Sequence, residues 1–195
     1  ITSKSIFIPK AIQVVNMRAL SDCPHLCSIV VDEENPYLDS RNDCNAIVTS
    51  KDWVSPANKL IAGCQTTTIP NSVTEIGDYA FYRCDSLKHM TVPNGVTTIR
   101  DGAFSECSSL SSIKLPESLT EMTKQWIFSE CTSLKEVFFF AKTPPYIAYG
   151  MFRGITPTIY VPKESLDAYK KALYWQDFDI QAIPDSMCFD DNHFV

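Results

Sequence analysis

Glycine is scarce, with six residues among 195. That leaves little material for a phosphate cradle, and neither a Walker loop nor a dinucleotide fingerprint occurs. Histidine is scarcer still, at three. His89 and His193 have no cysteine or carboxylate at ligand spacing, and both His-Glu-x-x-His and Gly-x-Ser-x-Gly are missing. The expectation is therefore a protein that is not an enzyme and carries no cofactor and no catalytic or metal residues. Long apolar runs are lacking too. The longest, Val137 to Ala141, falls far short of the roughly 20 residues of a membrane span. Nor is positive charge in surplus: 17 Lys and Arg face 23 Asp and Glu, for a net charge of −6. That balance speaks against a nucleic-acid or anionic-lipid surface. The chain opens on Ile1 without a basic-then-apolar leader. A fragment or mature form is expected, whose own start is silent on compartment.

What is present is a folded composition, 45% hydrophobic and 21% charged, and eight cysteines whose spacing is informative. No Cys-x2-Cys pair exists, so the usual zinc-ribbon pattern is absent. Instead Cys84, Cys107 and Cys131 recur 23 and 24 residues apart, and everything around them recurs with them. Val73, Ile76, Ala80-Phe81, Cys84, Leu87, Met90 and Val92 form one unit. Val96, Ile99, Ala103-Phe104, Cys107, Leu110, Ile113 and Leu115 form the next. The third reads Leu119, Met122, Ile127-Phe128, Cys131, Leu134, Val137 and Phe139 after a one-residue slip. An earlier copy reads Ile12, Val15, Ala19-Leu20, Cys23, Leu26, Ile29 and Val31. Such a period marks a repeat array.

Each unit has a physical reading. Leu110 to Leu115 ends in a period-2 alternation, a short strand with one buried face. Proline then stops the strand. Val-x-x-Ile continues as an extended or bent crossing, and Ala-Phe-x-x-Cys-x-x-Leu has the i, i+3 spacing of a short helical or 3₁₀ turn. A strand regained one unit later gives a right-handed coil with a parallel sheet along one side, neighbours stacking about 4.8 Å apart. One unit buries too little apolar surface to stand alone, so it needs neighbours.

The pattern Ile-Pro-x-x-Val-x-x-Ile-x-x-x-Ala-Phe-x-x-Cys-x-x-Leu-x-x-Ile-x-Ile-Pro resembles the BspA-like subclass of leucine-rich repeats found in bacterial surface proteins, over roughly residues 5–162. Asn35-Pro36-Tyr37, Cys44 to Val48 and Leu60 to Cys64 are similar to an insertion between repeats of that family. Tyr160-Val161-Pro162, Ser165 to Tyr169 and Trp175 to Phe178 look like its closing element. The resemblance implies an α/β solenoid and a non-catalytic adhesion or interaction module, extracellular or on the bacterial surface, with a protein or glycan ligand of possible host origin. A structural spacer or stalk and a glycan-binding surface are the competing readings.

The expected organisation is a single domain over 1–184: a truncated unit 1–8, a repeat 9–31 and an insertion 32–69 holding an extra hairpin. Repeats 70–92, 93–115 and 116–139 follow, then a degenerate terminal repeat 140–162, a cap 163–184 and a tail 185–195. Phe140 stands where the other units have Pro70, Pro93 and Pro116. Leu166, Tyr169, Ala172 and Leu173 place one apolar face on a capping helix, with Lys163, Lys170 and Lys171 opposite.

Several groups invite chemistry. Cys23-Pro24-His25-Leu26-Cys27 offers metal ligands, but its two cysteines sit on diverging sides of a strand. The run Asp32-Glu33-Glu34-Asn35 with Asp39, Asn42, Asp43 and Asn45 offers calcium oxygens, or turn residues. Pairing of Ile47 with Ile61 would set Cys44 opposite Cys64, where a disulfide is an open alternative. The repeating cysteines read as small polarizable filler, reduced and buried.

The partner surface is expected on the strand residues that face solvent: Phe7, Val30, Thr68, Thr91, Lys114, Phe138 and Tyr160. An aromatic cluster of Phe138, Tyr160 and Phe140, with Tyr146 beside it and Lys114 and Lys135 at its edge, is the candidate contact. Trp53, in the hairpin loop 51–58, is a second candidate anchor unless it folds back on the wall.

Overall fold

The computed structural model describes residues 4–16, 18–20, 23, 25–50, 58–122 and 125–185. Alternation in Ile6 to Ile8 and Ile29 to Val31 yields β1 (Ser5–Ile8) and β2 (Ser28–Val31), paired parallel in the register Phe7 to Val30. The insertion supplies β3 (Leu38–Asp39), β4 (Ala46–Thr49) and β5 (Lys59–Gly63), paired antiparallel in order. Each later unit then supplies two strands. These are β6 (Glu75–Ile76) and β7 (His89–Thr91), then β8 (Thr98–Ile99) and β9 (Ser112–Leu115). After them come β10 (Glu121–Met122) with β11 (Glu136–Phe139), and β12 (Tyr146–Ile147) with β13 (Thr158–Val161). The helix α1 (Leu166–Lys171) and strand β14 (Ile180–Ala182) close the described array.

The result is a β-solenoid in which two sheets flank the coils. One holds β7-β9-β11-β13-β14; the other runs β12-β10-β8-β6-β5-β4-β3, continuing into the inserted hairpin. The expected single sheet is thus one of two, because the Val-x-x-Ile crossing pairs from coil to coil as two-residue strands.

The Ala-Phe-x-x-Cys segment keeps its i, i+3 bonding, as in Cys107 N–H to Phe104 C=O at 3.3 Å, yet forms no helix. Two left-handed residues per coil interrupt it: Tyr79 and Arg83, Gly102 and Glu106, Trp126 and Glu130, Gly150 and Gly154. They turn alternate amides outward to the next coil, so Tyr79, Phe81 and Arg83 N–H bond to Asp101, Ala103 and Ser105 C=O at 2.8 to 3.0 Å.

Inside, the repeated phenylalanines form a stack. Phe81, Phe104, Phe128 and Phe152 lie 5.0 to 5.5 Å apart and nearly parallel, and Phe178 closes the row edge-on to Phe152. Ring offset stacking adds to the burial each ring gains. At the same end Trp175 packs edge-on against Phe139 and Tyr169. The buried polar tips are satisfied, Tyr169 hydroxyl to Ala141 C=O at 2.8 Å and Trp175 Nε1 to Pro145 C=O at 3.0 Å.

The capping helix is shorter than its apolar spacing suggested. It ends at Lys171, Ala172 is extended, and Leu173 is left exposed. Closure comes from Tyr169, Trp175 and Phe178, and from β14, which adds a strand beside β13.

Candidate functional site

The outer face of β7-β9-β11-β13-β14 carries two columns. Thr91, Lys114, Phe138, Tyr160 and Gln181 are in register, as are His89, Ser112, Glu136 and Thr158. This is the solvent column read from the alternation, and Phe7 and Val30 show the same register on the first strand pair. Thr68 is exposed but lies outside any strand.

Phe138 differs from the reading of an open contact. It points off the sheet yet is only 4% exposed. Lys114 and Tyr160 flank it in register, and the Tyr160 ring stacks on it at 4.9 Å and 14°. Tyr160, Lys114 and Phe140 are half-buried and Lys135 is exposed. Tyr146 does not join them: it sits on β12, in the other sheet, and is 60% exposed. Trp53 lies outside the described residues.

The polar column has local order. His89 Nδ1 lies 2.9 Å from Ser112 Oγ and 3.2 Å from Ser111 Oγ. Among the described residues no carboxylate bonds to the imidazole, so the pair lacks the third member that orients a base toward a serine nucleophile.

The other candidate groups make local contacts. Among the described residues no group of three His, Cys, Asp or Glu is placed to hold a metal ion. Cys27 Sγ donates to His25 C=O at 3.2 Å and accepts from Gln65 Nε2 at 2.7 Å. In the acidic run, Asp32 caps Glu34 N–H, and Asn35 accepts from Tyr37 and Leu38 N–H while donating to Pro9 and Ile12 C=O. Asn42, Asp43 and Asn45 are left-handed, a conformation their short polar side chains tolerate. These oxygens therefore build turns.

Cys44 and Cys64 are both free, and the hairpin explains why. Ile47 pairs with Ala62, and the register shifts between Ile47 and Val48. The two thiols point into separate apolar clusters, with Cys44 Sγ on Ala46 C=O and Cys64 Sγ on Asn45 C=O.

Sequence reasoning missed one polar cluster. Glu75, on β6, is buried between Lys59 Nζ and Arg100 Nη2, each at 3.0 Å. Burial alone would raise its pKa, but hydrogen bonds from Arg100 and Lys59 outweigh that and hold the carboxyl below its ordinary value. Only the fold brings these three together, from the insertion and two repeats. Trp126 and Tyr149, on the corner beyond Tyr146's sheet, were likewise missed and are exposed.

Among the described residues no helix is long and apolar enough to cross a membrane. No curated protein matches the chain. Its fold is similar to that of a leucine-rich repeat protein from Eubacterium ventriosum, at 23% identity and a TM-score of 0.58, covering 92% of this chain and 48% of that one. It is also similar to a leucine rich cell surface protein from Faecalibacterium prausnitzii, at 22% identity and a TM-score of 0.62, covering 93% and 48%. The chain thus spans about half the length of each. Residues 60–174 match the BspA type leucine rich repeat region in 6 copies, and the chain belongs to that family.

Proposed function

We propose that this chain is a non-catalytic interaction module of a bacterial cell-surface or secreted protein, holding a protein partner against the outer face of β7-β9-β11-β13-β14. The observation that carries this reading is the Tyr160 ring, half-exposed and braced from behind by Phe138. A rigid aromatic on an open sheet offers contact area at little entropic cost. Lys114, in register on the far side of Phe138, extends the surface, and fold-level likeness to a cell surface protein supports the location. A plain spacer has no use for such a ring on its open face. Tyr146, on the opposite sheet, is not part of this surface.

The test is surface-plasmon binding of the chain to a panel of purified host matrix proteins, repeated with Tyr160→Ser. One panel member should bind and lose about tenfold in affinity, roughly 1.4 kcal/mol. Equal binding by the variant removes the proposed surface.

A further inference from the structure

Among the concavities of the described surface, two bear on binding. One, beneath Arg18 where it lies 3.8 Å over the Tyr79 ring, encloses about 10 Å³, room for a single water at most. The other is an open groove of about 490 Å³ lined by Lys88, Ser109, Ser111, Thr132, Ser133 and Lys135. It is a shallow, open trough, and its lining holds two lysines and no carboxylate in an otherwise acidic protein.

The groove is made by the repeat. Lys88, Ser111 and Lys135 hold one position on three successive coils. Ser111 N–H bonds to Lys88 C=O at 2.8 Å, and Lys135 N–H bonds to Ser111 C=O at 3.0 Å. The two lysines therefore sit two coils apart, about 10 Å along the array axis. Neither takes part in an ion pair among the described residues, whereas Lys10, Lys59 and Lys142 all do. Ser111 Oγ, anchored on Lys88 C=O at 3.0 Å, lies between them. Ser109, Ser133 and Thr132 line the same floor with hydroxyls that both donate and accept.

We infer that this groove binds an acidic polysaccharide of low charge density, one carboxylate to each disaccharide, laid along the coils. Two unpaired ammonium groups select a ligand with two anionic centres at matching separation. The hydroxyl floor between them suits sugar hydroxyls. No aromatic side chain lines the groove, so a neutral sugar has no ring to stack on, and the lysines must supply the attraction. The net charge of −6 opposes a densely charged polymer such as a nucleic-acid duplex far more than a sparsely charged one. The site is distinct from the Tyr160 surface, and it stands or falls without the reading proposed above.

The experiment is isothermal titration of the whole chain with hyaluronan octasaccharide at low salt, alongside a neutral dextran octasaccharide, free glucuronate and a short DNA duplex. The octasaccharide should bind, weaken as salt rises, and exceed all three others by at least tenfold. Lys88→Gln with Lys135→Gln should lower its affinity at least tenfold. Lys170→Gln with Lys171→Gln, an equal charge change on α1, should leave it within twofold. Circular dichroism melting confirms that both double variants are folded. Failure of the octasaccharide to bind overturns the inference. So does equal binding of the neutral dextran, glucuronate or DNA, or an equal loss in the two double variants.

Discussion

The thiol of Cys107 donates to the carbonyl oxygen of Phe81, 3.0 Å away on the preceding coil, and Cys131 repeats the contact with Phe104 at the same distance. The Phe81 carbonyl also accepts the Cys84 N–H at 3.1 Å. The repeating cysteine is therefore more than filler. It is a small apolar side chain that also carries one donor, ties its coil to the last, and leaves the stacked phenylalanines undisturbed.

Cys107→Ala removes that donor and opens a small void in a fully buried site, and should cost about 1–2 kcal/mol. Urea unfolding of the variant against the parent measures it. Cys27→Ala, at a half-buried position on the edge of the array, should cost less than half as much.

Burial pushes the Cys84 thiol from 9.0 up to about 12 and raises Cys107 and Cys44 as well. A thiol with a raised pKa holds its proton in the folded chain after the unfolded chain has lost its own. The stability it contributes is whole below pH 9 and declines as pH climbs toward 12. Melting temperature should therefore fall steadily between pH 9 and 11. Iodoacetamide at pH 8 should leave Cys84, Cys107 and Cys131 unmodified until denaturant is added.

Glu75 works in the opposite direction. Its folded pKa lies below the ordinary 4.5, so its contribution is present above pH 4.5 and is lost as pH falls through the depressed value. Glu75→Gln should cost about 1–3 kcal/mol at pH 7, because Lys59 and Arg100 lose a shared partner at a buried junction. The difference between variant and parent should shrink in urea melts taken at pH 3.

Gly102 adopts φ +55, and a Cβ there would stand 2.3 Å from the Tyr79 ring. Gly102→Ala should cost about 2–3 kcal/mol, from the left-handed backbone and the collision together. Adding Tyr79→Ala should recover part of that loss, since only the collision is relieved. A double-mutant cycle by chemical denaturation separates the two.

The repeat and its inward columns were legible because Val137, Ile113 and Met90 recur at fixed spacing and each is buried. The second sheet was not, since strands such as Thr98–Ile99 and Glu121–Met122 are two residues long and show no alternation. A single irregularity between Ile47 and Val48 moved Cys64 away from Cys44, and no local signal marks it. The burial of Phe138 depends on Tyr160, a neighbour 22 positions on, whose ring lies across it. Lys88 and Lys135 could be aligned from the spacing alone; the concavity between them could not.

Tyr79 lies over Gly102, and the Trp126 ring lies 3.8 Å from where a Cβ on Gly150 would be. From Tyr79 to Gly150 bulk and emptiness thus alternate along one corner, and the pair of coils is the period over that stretch. A gene segment encoding one coil, copied in tandem, would set ring upon ring at that corner; one encoding two coils would not. Lineages that lengthen or shorten such an array by recombination should do so in steps of two.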